Sequence, residues 1–235
     1  MKKKKNIFIN VVSNVIIAIV VISVGFACFN ANSALAVLGE KQIIDRGNSN
    51  KKRVTLMINL YWGEEFLDKT LQILDKYKIK TTFFVGGCWV EKHVSDLKKI
   101  VERGHELGNH GYFHLSHDKI NATENYNEIF LTHKLIESLT GVQMTLFAPP
   151  SGAYGKHTLE KATELGYKTI MWSKDTIDWR DKDSNLIFKR ATKNPSNGEL
   201  ILMHLTRSTL DALENIIKYY QQNGFELTTV SQNIS

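Results

Sequence analysis

From Val54 onward, short β-branched or aromatic runs alternate with longer amphipathic stretches, and this alternation limits the possible folds more than any other feature of the chain. Val54 to Leu60, Thr81 to Val85, Leu146 to Pro149, Lys168 to Trp172 and Leu200 to His204 have the composition of buried strands. Between them, Glu64 to Tyr77, Val94 to Arg103, Thr123 to Leu139, Lys156 to Leu165 and Thr209 to Gln222 carry helical spacing, and Asp183 or Ser184 is placed to cap a further helix running to Thr192. Gly104, Gly141, Gly166 and Gly224 each stand where a helix ends, as left-handed C-terminal caps require. Strict βα alternation predicts an α/β fold with a parallel sheet, open or closed into a barrel. In either form, ligands gather at the carboxyl ends of the strands.

The chain has 235 residues, 43% of them apolar, which suits one domain with an appendage. Its formal net charge of +6 comes mostly from Lys2, Lys3, Lys4 and Lys5, and the region after residue 50 is nearly balanced, so nucleic acid is not an expected partner. Of the two cysteines, Cys28 lies in the apolar N-terminal run, and Cys88 is expected as a small buried apolar residue of the body. After the lysines, Ile7 to Phe29 is long and apolar enough to cross a bilayer. Residues 1–30 are therefore expected to be a signal anchor with one transmembrane helix, its lysines cytoplasmic and all that follows extracytoplasmic. Cleavage after Ala36, in Ala34-Leu35-Ala36, is the competing expectation and gives a secreted protein. Residues 31–53 lack apolar periodicity and are expected as a linker, leaving 54–235 as the folded domain.

Polar residues collect at the predicted strand ends: Asn59, His110 with His114, Asp175 with Asp178, and His204. Two imidazoles four residues apart on one loop can share a Zn²⁺ ion, although loop histidines are also commonly just solvated. The order of segments adds more. H-E-L-G-N-H-G-Y-F-H, P-P-S-G-A-Y-G, E-L-G-Y-K-T-I-M-W-S-K-D-T-I-D-W and G-E-L-I-L-M-H follow one another behind Val54 to Gly63. Together these resemble the five motifs of the polysaccharide deacetylase family, the NodB homology domain of carbohydrate esterase family 4, over nearly all of residues 54–235. Trp62-Gly63 with Glu65 is similar to a sporulation-associated branch.

The resemblance implies a distorted (β/α) barrel that binds a divalent metal, usually zinc, and removes acetyl groups from an N-acetylated cell-wall polysaccharide. It implies His110 and His114 as metal ligands, His204 as the general acid, Asp178 as the carboxylate tuning that histidine, and the backbone N–H of Ser151 as an oxyanion donor. The chain departs from the family pattern at several points. Asn59 stands at the catalytic base, where a carboxamide cannot take a proton. Leu60 stands at the carboxylate ligand, Ala148 at the arginine that orients the base, and Leu205 at an aspartate after His204. Three functions fit this pattern. One is a hydrolase whose metal shell is completed by Glu65, His117 or Asp118. Another is a pseudoenzyme that binds glycan without turnover, and the last is an envelope scaffold whose cleft is blocked by Tyr61 and Trp62. Trp179 and Trp172 are candidates for stacking on sugar rings, with barrel-wall packing as the plainer role of Trp172. His105, His117, His133 and His157 are expected at surface positions, and Gly86-Gly87 is expected to end the second strand.

Overall fold

The apolar runs are buried on both faces, a condition met by a parallel sheet with helices outside it and a second core within its curl. A computed structural model describes residues 43–235. Along that stretch the order is β1 (Ile43–Ile44), β2 (Arg53–Leu60), α1 (Leu67–Lys76), β3 (Thr82–Val85), α2 (Gly87–Lys92), α3 (Val94–Glu102), β4 (Glu106–Asn109), α4 (Ala122–Thr140) and β5 (Leu146–Phe147). It continues with α5 (Lys156–Glu164), β6 (Lys168–Ile170), β7 (Lys174–Asp175), α6 (Ser184–Thr192), β8 (Glu199–His204), α7 (Arg207–Gln222), β9 (Glu226–Leu227) and α8 (Val230–Ile234).

The strands run in the order β1-β6-β5-β4-β3-β2-β8-β7, all named pairs parallel, with β9 joining the start of β2. The sheet curls into a half-barrel, consistent with a distorted (β/α) barrel. Alternation along β2 separates the two cores. Val54, Leu56, Ile58 and Leu60 face the helix layer, whereas Met57 joins Phe84, Leu146, Ala148, Ile170, Leu200 and Leu202 inside the curl. The amino end of the barrel is sealed by α8, where Val230 N donates to Thr82 Oγ1 at 2.8 Å and Asn233 Nδ2 to Thr55 Oγ1 at 3.1 Å. The carboxyl end is left to the polar residues.

Local signals account for the helix ends. A capping box of Asn121 and Glu124 starts α4, and Gly141 ends it at φ 73°. Asp183 caps α6 as expected, and Gly104, Gly166 and Gly224 also adopt positive φ.

Several expectations are corrected. The linker assignment extends too far, because Ile43 and Ile44 pair with Thr169 and Ile170, and Gly47 N donates to Gly198 O at 2.6 Å. A two-residue edge strand is too short to show periodicity, so pairing rather than composition places it in the domain. Gly86 does end β3, but Gly87 opens α2, and a Cβ on either would lie 2.3 Å from the ring of Tyr61 or Tyr112. The expected signal anchor at 1–30 lies outside the described residues. Among the described residues no helix is long and apolar enough to cross a membrane.

Candidate functional site

Parallel strands bring their carboxyl ends to one rim, and there the chain encloses a cavity of about 450 Å³ lined by Asn59, Tyr61, Trp62, His110, His114, Ser151, Trp172, Asp175, Trp179, Leu202 and His204. Register explains the gathering. Asn59 is the Cα partner of both Phe84 and His204, Val85 partners Asn109, and Asp175 partners Leu202. Asn59 and His204 thus end adjacent strands side by side.

Each imidazole has a definite setting. His110 is buried, with Nδ1 2.7 Å from the Ala148 carbonyl, so Nδ1 carries the proton it donates. Burial and then the neighbouring His114 hold its pKa down at about 3. His114, at φ 57°, faces His110 edge-on with ring centroids 5.2 Å apart, and burial lowers its pKa too. Tyr61 leans on His114 at 4.9 Å, and burial with the adjacent Cys88 pushes its phenol up to about 12. Cys88 is partly exposed rather than fully buried, and its thiol lies beside the Tyr61 phenol. His204 Nδ1 lies 2.8 Å from Asp178 Oδ1, and its backbone N–H donates to Asp178 Oδ2 at 2.7 Å. Trp62 stacks on the His204 ring at 5.7 Å with 6° between planes.

Asn59 is 4% exposed, and its Oδ1 is buried with no hydrogen-bond partner. Leu60, the next residue, turns away into the helix-layer core and does not line the cavity. Ala148 is fully buried in the inner core, and Ser151 lines the cavity in the left-handed region at φ 55°. Trp179 stands 57% exposed at the rim, while Trp172 combines both expected roles by packing against the inner core and lining the cavity. Tyr61 and Trp62 form walls without filling the space, so the cleft is open and lacks the block expected of a scaffold.

A divalent metal of the kind implied by the resemblance does not fit this donor set. His110 and His114 converge, but the third position is the hydrocarbon of Leu60, and among the described residues no three His, Cys, Asp or Glu side chains are grouped to hold an ion. The suggested substitutes lie elsewhere. Glu65 is exposed in the first turn of a 3₁₀ segment, and Asp118 accepts from Ser116 Oγ at 2.6 Å. His117 is not a surface residue: it is buried against Phe147 with Nδ1 2.7 Å from Asn125 Oδ1. His105 is likewise buried, packing edge-on to Phe83, and His133 is half-buried against Tyr167. Neighbours far away in sequence cover all three, which no local pattern reveals. His157 is exposed as expected.

Two further residues support the site and carry no motif that marks them. Thr209 donates to Asp178 Oδ2 at 2.5 Å, and Glu128 accepts the Tyr112 and Phe113 amides at 2.9 Å each, shaping the loop that carries His114. Glu128 lies on the buried face of α4 with Asn125, Ile129, Thr132 and Ile136, and a carboxylate at that helical spacing was the available signal.

Comparison with known proteins agrees with this geometry. The family model described as polysaccharide deacetylase matches residues 46–170. The Bacillus subtilis protein YlxY is 39% identical over 80% of this chain and 59% of its own length, so the chain spans well under two thirds of that relative. A peptidoglycan-N-acetylglucosamine deacetylase of Bacillus cereus is 32% identical over 78% of this chain and 69% of its own. Among solved structures, a CE4 family pseudoenzyme of Bacillus anthracis superposes with a TM-score of 0.80 at 35% identity, covering 82% of this chain and 69% of that one. A mutant of that pseudoenzyme, described as having restored enzymatic activity, superposes with the same TM-score at 34% identity, covering 82% of this chain and 71% of that one. With the half-barrel, the motif order and these likenesses in agreement, the chain belongs to the polysaccharide deacetylase family.

Proposed function

We propose that this protein is a catalytically silent member of its family that binds an N-acetylated cell-wall polysaccharide in the open cleft without turning it over. The observation that carries this function is the pair Asn59 and Leu60: a carboxamide at the base position and a hydrocarbon, turned into the core, at the ligand position. General-base assistance is worth about 10²–10⁴ in rate, and a carboxamide supplies none. The retained His204–Asp178 pair and the tryptophans at the mouth still suit a glycan ligand. The pseudoenzyme likeness and the peptidoglycan deacetylases among the relatives support the same function. The N-terminal apolar run would anchor the protein in the membrane as a single pass, with the domain on the extracytoplasmic side, unless cleavage after Ala36 releases it.

Restoration tests the proposal. Wild-type protein should bind N-acetylated peptidoglycan fragments and release no acetate. Asn59→Asp, which returns a carboxylate to the cavity that His110 and His114 also line, should gain zinc affinity over wild type and release acetate at least about a hundredfold above it. Acetate release by wild-type protein above the rate in buffer alone would overturn the proposal.

A further inference from the structure

The cavity lining is unevenly charged. Among the described residues, Asp175 is its one carboxylate and no lysine or arginine lines it. The Ile177 amide donates to Asp175 Oδ1 at 2.7 Å, which orients the carboxylate at the end of β7. The nearby cation Arg180 is committed outside the cavity, its Nε and Nη2 each 3.0 Å from Asp181. Asn59 lies on the far side of β8 and two residues further along, with its Oδ1 buried, so Asp175 is the charged acceptor that the cavity presents. The faces of Tyr61, Trp62, Trp172 and Trp179 complete the walls.

Such a lining asks for a ligand rich in donors and positive charge. An acetamido group brings one N–H donor and a carbonyl oxygen that itself needs donors, and with Leu60 turned into the core no ligand set for a Lewis acid stands there to meet it. A primary ammonium brings three donors and a full charge, which suit the Asp175 carboxylate and the electron-rich aromatic faces of the cavity. We propose that the cleft selects hexosamine units whose nitrogen is a free ammonium in preference to acetamido units. This rests on the glycan-binding function above and refines it: along an N-acetylated polymer the unit the cavity prefers is one already de-N-acetylated, so binding is tightest where a deacetylase has acted first.

The test is calorimetric titration of the full chain at neutral pH with a glucosamine tetramer and with an N-acetylglucosamine tetramer, using wild type and Asp175→Asn. The asparagine keeps an oxygen for the Ile177 amide, so the fold is preserved. Wild type should bind the glucosamine tetramer about tenfold more tightly, in a salt-sensitive manner, and Asp175→Asn should bring the two to parity. Equal affinity, or tighter binding of the acetylated tetramer, overturns the selectivity and leaves glycan binding standing. A preference that survives in Asp175→Asn, or one matched by a lysine tetramer, also overturns it, since the cavity would then not be reading the amine. Failure of both sugars to bind overturns the glycan-binding function as well.

Discussion

Asp178 and Asn59 are two buried polar side chains with opposite fates. Asp178 is 3% exposed and accepts from the His204 amide, the His204 ring and the Thr209 hydroxyl. Asn59 leaves its oxygen unpaired beside the cavity. A satisfied buried carboxylate holds its neighbours in place, and removing it strands their donors. Asp178→Ala should therefore cost about 3–5 kcal/mol in urea unfolding and release the His204 ring from its fixed orientation. A loss below about 1 kcal/mol would mean that solvent replaces the carboxylate there. An acceptor buried without a donor is a cost of about 1–3 kcal/mol that the fold carries at Asn59.

Among the elements, β7, β8 and α7 are tied together by one buried network. Lys174 Nζ lies 2.8 Å from Glu199 Oε2, and the Tyr220 hydroxyl donates to Glu199 Oε2 at 2.9 Å while lying 2.7 Å from the Ala191 carbonyl. Burial, and after it the almost fully buried Glu199, push the Tyr220 phenol far above its ordinary range. Lys174→Ala leaves that carboxylate without its cation and should destabilise the domain by about 3–5 kcal/mol, read from the urea midpoint. Lys174→Met with Glu199→Leu should recover most of the loss, because two apolar groups of similar volume leave no uncompensated charge. β7 carries Asp175 to the cavity, so this network also positions one wall of the site.

For the whole molecule, buried imidazoles set the response to acid. Burial depresses His105 and His117 to about 4 and His110 to about 3. A depressed histidine contributes stability that is full above its unfolded value, about 6.5, and is lost as pH falls toward its folded value. Below about 6.5 the unfolded chain binds protons that the folded one refuses, at up to about 1.4 kcal/mol per pH unit for each group. Glu128, raised by burial, acts with the opposite sign, one group against four, since burial lowers His114 as well. The melting temperature should fall steadily between about pH 6.5 and 4, and His105→Gln should make that slope shallower. A flat profile across the window would show that these rings accept protons in the folded state.

Periodicity, helix caps and the order of motifs are local properties, and the sequence determined what depends on them: the βα alternation, the left-handed glycines ending the helices, and the polar residues at the ends of parallel strands. Asn59, His110, His114 and His204 were legible because any such strand delivers its last residues to the same rim. Tertiary structure decided the rest. Whether His105 and His117 meet water, whether Ile43–Ile44 joins the sheet, and whether Trp62 lies flat on His204 all depend on segments tens to more than a hundred residues away. The fate of Leu60 needed both, since alternation along β2 sets its side and only the packed helix layer makes that side a core closed to the cavity.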